Sequence, residues 1–463
     1  MAVVGIGICA LAVGFADAGT AKPGAPMTPD RIRVFFLLAQ FPDLPLGRPR
    51  ADFTDPAGRT GLTERLVDYY AEVSSDRFLI ETAVADTLVT VPGRQVSYGQ
   101  RPAALIRDAF GAFLAAGSDD ATRSALETSD ALIVFFAGPG KESDLQGQAT
   151  DPWSNFTMVV PPLVTPAGHR ISKGCVIAGE QREGLSSFGV LCHEFGHLLG
   201  LPELYAPFGA SHEGIGVWGL MGQGTWLGRG DRPPHLCALS KVLMGWADVE
   251  LVTHDGSVTL PAIGESSRVA KLWARGPEQP WEYFLIENRQ RRHIDQRLPA
   301  SGLLVWHVDE RVDERVMGYR RAQSDPEHMY LTLAQADGRD DLRLGHRAGG
   351  NRGDEGDPWH GMGGWPRFLL DAAAVVGSFL IIAAGVRLWR RRRSDWIAVV
   401  MTGAGLGAIV LGLGISRSPV FGPHTTPSSA SWDGTPGRFT LSDISPAGDP
   451  MSFRVTLHQA DHP

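Results

Sequence analysis

The sequence predicts an α+β protein with a β-rich C-terminal part, interrupted by a two-helix transmembrane hairpin. Three patterns carry that expectation. Strand-length apolar runs alternate with helical periodicity between residues 31 and 136. Short β-like segments take over after Trp246. Two long apolar stretches, 368–386 and 396–415, flank a cluster of arginines. A chain of 463 residues, 43% hydrophobic and 20% charged, holds two or three domains' worth of core. Its formal net charge of −8 argues against a nucleic-acid binder, which normally presents a basic face. Four cysteines without a C-x-x-C pair exclude a disulfide framework and a zinc ribbon.

At the start of the chain, Met1 to Phe15 is apolar and precedes the small-x-small sequence Ala16-Asp17-Ala18, so residues 1–18 read as a signal peptide. Its removal takes Cys9 away and leaves Cys175, Cys192 and Cys237, which permits one bridge and a spare thiol. Residues 31–40 read as a mostly buried strand, closed by the turn-like Phe41-Pro42-Asp43. Leu62, Leu66, Val67 and Tyr70 have helical spacing, and Leu79 to Thr82 is strand-like. Residues 102–117 read as a second amphipathic helix and 131–136 as a second apolar strand, followed by a Pro/Gly-rich loop region from Pro152 to Gly174.

Val258 to Leu260 and Ser301 to Trp306 read as short strands. The stretches 368–386 and 396–415 each suffice to cross a hydrocarbon core of roughly 30 Å. Arg387 and Arg390 to Arg393 place the loop between them in the cytoplasm by the positive-inside rule. Both flanks then lie on the outer side of the cell membrane. Met451, Phe453, Val455 and Leu457 alternate with polar residues, the period of a half-buried strand.

The chemistry concentrates in His193-Glu194-Phe195-Gly196-His197, an H-E-x-x-H motif. On a helix, residues i and i+4 share a face, so both imidazoles can address one zinc ion. Zinc with three protein ligands keeps a position for water, and Glu194 beside it can act as general base. Ser186 or Ser187 can cap the helix, and Gly200 followed by Pro202 can end it. Gly200 also allows a left-handed turn that brings Glu203 back as third ligand. Glu213 is the alternative third ligand. Tyr205, His212 and His235 are each candidates for stabilising an oxyanion, and the spacing selects none of them.

These residues lie in longer stretches. H-E-F-G-H-L-L-G-L-P-E-L-Y is followed by V-W-G-L-M-G-Q-G-T-W and S-K-V-L-M-G-W. F-L-I-E-N-R-Q, S-G-L-L-V-W-H-V-D and G-N-R-G-D-E-G-D-P-W come later. Together they resemble the immune inhibitor A family of secreted bacterial zinc metallopeptidases, over most of residues 31–359. The resemblance implies a zincin-like fold, one catalytic zinc and endopeptidase activity on protein or peptide substrates. By motif position, His193 and His197 would be ligands, Glu194 the base, and Met221 the Met-turn beneath the metal. Family members usually carry Asp where this chain has Glu203. The likeness begins at Arg31, so a long latency prosegment is not expected.

On that resemblance, 31–250 is the catalytic domain, 251–360 its β-rich continuation, and 425–460, packed back on the 251–350 β region, an extracytoplasmic segment completing the peptidase module, which the hairpin read from hydropathy at 368–415 interrupts. Asp337, Asp340, Asp341, Asp354, Glu355 and Asp357 sit in Gly-rich loops of the oxygen-rich kind that calcium favours, with Asp337, Asp340, Asp354 and Asp357 as the candidate ligands. Trp218, Trp226, Trp246 and Trp306 can line a cleft or fill core. The reading is a membrane-tethered extracytoplasmic zinc endopeptidase. Its rival is a non-catalytic zinc-containing surface binding protein.

Overall fold

The run RIRVFFLLAQ forms β1 (Arg31–Gln40), and its alternate side chains feed two different cores. Phe36 and Leu38 enter one, Phe35 and Leu37 the other. A strand covered on both faces has no solvent side, which explains its near-continuous apolar sequence. The structure, a computed structural model, describes residues 30–143, 151–206, 212–312, 323, 325–345, 348–361 and 419–459.

After β1 the chain forms α1 (Leu62–Ser74), β2 (Leu79–Thr90), α2 (Pro102–Ala116), α3 (Asp120–Leu126), β3 (Ala131–Pro139), β4 (Asn155–Val164) and β5 (Arg170–Glu180). The strands make a five-stranded sheet in the order β2-β1-β3-β5-β4. β2, β1, β3 and β5 are parallel, and β4 is antiparallel at the edge. α2 covers one face through Leu105, Ile106, Phe110 and Phe113. α1 and α4 (Phe188–Leu199) cover the other, with the Tyr70 and Phe195 rings 4.8 Å apart. The hydroxyl of Tyr70 donates to the Cys192 carbonyl, pinning α1 to α4.

Residues 152–174, expected to be loop, form β4 and the start of β5 instead. The prolines behind that expectation, Pro161 and Pro162, sit where β4 leaves register between Met158 and Leu163. On a sheet edge a missing N–H breaks no ladder bond, so proline is tolerated there.

The second half continues through α5 (Ala238–Met244), β6 (Asp248–Leu251), β7 (Gly256–Leu260), β8 (Arg268–Trp273), β9 (Glu282–Arg289), β10 (Gly302–Asp309) and β11 (Leu331–Leu333). Its sheet has the order β11-β10-β9-β8-β6. One face, with Tyr283, Leu285, Leu304 and Trp306, joins the core that holds α4. The opposite face, with Phe284, Ile286, Leu303 and Val305, packs on a third sheet. That sheet has the order β12-β13-β7, with β12 (Phe439–Ser442) and β13 (Met451–Leu457) supplied by the C-terminal segment. Phe453 lies opposite Val258, and Met451 opposite Leu260. The Trp432 ring stacks on His307 at 5.2 Å and lies 4.9 Å from the His328 ring.

The architecture is therefore α+β and β-rich, but the expected membrane hairpin must be corrected. No helix among the described residues is long and apolar enough to cross a membrane. Residues 368–415 lie outside the described residues, as does the expected signal peptide, 1–18. The membrane location and the cytoplasmic loop, inferred from hydropathy and the arginine cluster, thus have no support among the described residues. The disulfide option is also corrected, since Cys175, Cys192 and Cys237 are all buried as free thiols.

Phe453 is 1% exposed between the second and third sheets. Its replacement by alanine removes a buried ring and leaves a cavity, so Phe453→Ala should cost about 3–5 kcal/mol in denaturant unfolding. A loss below about 1 kcal/mol would mean that the C-terminal strands contribute no core.

Candidate metal centre

Every residue of α4 is buried, including His193, Glu194 and His197. Ser187 occupies the N-cap position without a side-chain cap bond. Close packing fixes this end instead, because a Cβ on Gly189 would collide with the Thr225 carbonyl. At the other end Gly200 takes φ +105°, a left-handed conformation that side chains disfavour. The chain then doubles back, and the Leu201 N–H donates to the Gly196 carbonyl. Glu203 arrives beside the two histidines.

The Nε2 atoms of His193 and His197 are 3.1 Å apart. Glu203 Oε1 lies 3.2 Å from His193 Nε2, and Oε2 lies 3.3 Å from His197 Nε2. Backbone carbonyls set the tautomers. His193 Nδ1 bonds the Leu220 carbonyl at 3.1 Å, and His197 Nδ1 bonds the Leu201 carbonyl at 2.9 Å. A carbonyl only accepts, so both Nδ1 atoms carry hydrogen and both Nε2 lone pairs point into one space. Glu203 Oε1 is buried there and accepts no hydrogen bond. Two lone pairs and a carboxylate facing each other demand positive charge, and they fit a metal cation.

Without a metal, a proton meets that demand. Burial opposes charge on His197, but the Glu203 carboxylate outweighs it and lifts the imidazole to about 9. Burial likewise works against Glu203 as an anion, yet His197 and His193 pull its carboxyl down to about 2.

Glu194 Oε2 accepts the Phe156 N–H of β4 at 2.7 Å. Burial raises its pKa, while His193 and His197 hold it down. Since the Phe156 N–H turns to Glu194, it points away from β5, and the outer edge of β4 runs past the base. Met221 sits against the helix between the histidines, where a Cβ on Gly196 would come within 2.6 Å of its Sδ. Its carbonyl accepts the Leu204 N–H.

Other candidates fall elsewhere. Glu213 pairs with Arg352 at 3.3 Å rather than joining the histidines. The Tyr205 ring stacks 5.9 Å from the His193 ring. His212 Nδ1 accepts the Gly214 N–H, and His235 is buried 3.9 Å from Glu72. Trp218, Trp246 and Trp306 are core residues, and Trp226 is half-buried.

The acidic set regroups. Asp337, Asp341 and Asp354 come together, whereas Asp340 pairs with Arg343 and Asp357 is buried against Trp218 and Gln335. Arg339 lies 3.4 Å from Asp337 and 3.9 Å from Asp354, so a side chain already supplies cationic charge. The expected calcium ligands, as a set, are not supported.

Sequence reasoning missed the Phe156 N–H, a backbone group without side-chain signal. It also missed Glu287 and Arg289, fully buried on the β9 face that carries Leu285. The alternation of F-L-I-E-N-R-Q contained that signal, since Leu285, Glu287 and Arg289 share one face.

Comparison with known proteins agrees with the resemblance read from the motifs. Residues 179–247 match the family model described as the immune inhibitor A peptidase M6 catalytic domain. A stretch of 203 residues is 28% identical to "Immune inhibitor A" of Bacillus thuringiensis subsp. alesti. The match covers 36% of this chain and 29% of that relative, so the chain spans under a third of its length.

A metal entering this cluster must displace the proton on His197. Zinc affinity should therefore rise with pH towards about 9 and weaken by up to about tenfold per unit as pH falls. Calorimetry in buffers of different ionisation enthalpy should record about one proton released per zinc. Uptake without proton release at pH 7 would contradict the electrostatic account.

Proposed function

We propose, from the premise that residues 179–247 resemble the immune inhibitor A peptidase catalytic domain, that this chain is a zinc-dependent metallopeptidase cleaving internal bonds of polypeptides. The observation that carries the reading is the convergence of His193, His197 and Glu203 beside a buried glutamate on the same helix.

His193, His197 and Glu203 would hold the ion. When bound, zinc supplies Lewis acidity to a peptide carbonyl and makes a water more acidic. Glu194 takes a proton from the attacking water as its oxygen bonds the carbonyl carbon. The same carboxyl then returns that proton to the departing amine nitrogen as the C–N bond breaks. The Phe156 N–H holds one oxygen of Glu194 and leaves the other to move the proton. An extended substrate can lie along the outer edge of β4, where by alternation the Phe156 carbonyl and the Met158 backbone groups turn away from β5 while the Phe156 N–H stays with Glu194. Pro161 and Pro162, which have no N–H, end that pairing edge. Among the three oxyanion candidates Tyr205 is favoured, because its ring lies against His193.

Glu194→Gln keeps the size of the side chain and removes the base. The full chain carrying it should still bind one zinc, while casein cleavage falls at least about 100-fold. A variant that cleaves as fast as the parent would remove Glu194 from the mechanism. A zinc-loaded parent that cleaves no unfolded protein would favour the non-catalytic binding protein instead.

A further inference from the structure

We propose that Trp218 is a positioning residue for the metal centre, held from the β-rich half of the molecule by Arg289 and Asp357. The inference rests on the metal-centre reading above and adds a dependence of that centre on residues outside the catalytic segment. The segment Val217 to Met221 crosses beneath α4 without forming a strand or an α-helix. Its inner side touches the centre. The Leu220 carbonyl receives His193 Nδ1, Thr225 Oγ1 donates to that same carbonyl at 3.1 Å, and Met221 packs against Gly196.

The outer side of the segment is tied at Trp218 by two buried bonds. Arg289 Nη1 donates to the Trp218 carbonyl at 2.9 Å, and Trp218 Nε1 donates to Asp357 Oδ2 at 2.7 Å. Neither anchor is free to drift. Asp295 holds Arg289 through two bonds of 2.7 Å. Asp357 also accepts from Gln335 and from the Asp354 N–H. Buried charges are poor sources of net stability, and fixing one arrangement over its competitors is their best-attested use. Here the fixed arrangement sets Leu220 two residues on, and through its carbonyl the tautomer and tilt of His193.

The test removes the Trp218–Asp357 bond from either end, in the full chain. Trp218→Phe deletes the N–H donor, and Asp357→Ala deletes the acceptor. Asp357→Asn keeps an acceptor oxygen. Zinc affinity is read by competition with a chromophoric chelator, and geometry by the visible spectrum after cobalt(II) substitution. Trp218→Phe and Asp357→Ala should each weaken zinc binding about tenfold and shift the cobalt bands, while Asp357→Asn stays within about threefold of the parent. Leu441→Ala, a cavity variant in the core between the second and third sheets, should lose thermal stability yet keep parental zinc affinity.

Parental affinity and spectrum in both bond-deleting variants would overturn the proposal. So would an equal loss of affinity in Leu441→Ala, which would mark the effect as general destabilisation. His193→Ala separates the two levels. If it abolishes tight zinc binding while Trp218→Phe does not disturb it, only the positioning role falls. If His193→Ala binds as the parent does, the metal-centre reading falls and this inference with it.

Discussion

The structure depends on an electrostatic conflict built into one helix. His193 and His197 are spaced to share a face of α4, and carbonyls of Leu220 and Leu201 fix their Nδ1 hydrogens. Both Nε2 lone pairs then point at each other and at Glu203. Such a cluster is unfavourable unless a cation or a proton enters it. Binding strength and proton competition both follow from that constraint.

Rigidity around the conflict comes from packing. α4 is buried on every side, with α1 and the first sheet on one flank and the segment 217–225 on the other. Gly189 and Gly196 are small where Thr225 and Met221 approach, and Gly200 supplies the left-handed turn that delivers Glu203. The second sheet contributes to the same core, and its far face is completed by β12, β13 and the segment around Phe421. The helix α4 and the C-terminal strands thus stand at opposite ends of one continuous packing arrangement. The third sheet supports β9, and β9 presents Arg289 to the segment beneath the helix.

Much of this was legible in the sequence because the signals were local. H-E-x-x-H with a glycine three residues on fixes a helix, a turn and the approach of Glu203. Continuous apolar runs disclosed β1 and β3, and a period of two disclosed β13. Signals that depend on partners distant in sequence were not legible. Pro161 and Pro162 marked a loop until the position of β4 at a sheet edge was known. Which three of the six acidic loop residues converge, Asp337, Asp341 and Asp354, is set by loop geometry that spacing does not encode. Hydropathy pointed to a membrane hairpin, yet no described helix is long and apolar enough to span a bilayer. Free Cys175, Cys192 and Cys237 fill core positions as small hydrophobes, a role that counting cysteines does not reveal.

The most direct test of the central claim is an X-ray absorption spectrum at the zinc edge of the full chain loaded with one equivalent of zinc. The account predicts nitrogen and oxygen neighbours at about 2.0–2.2 Å, including the outer-shell scattering of two imidazole rings. A sulfur neighbour near about 2.3 Å, or a parent spectrum without two imidazoles, would contradict it by placing the metal away from His193, His197 and Glu203.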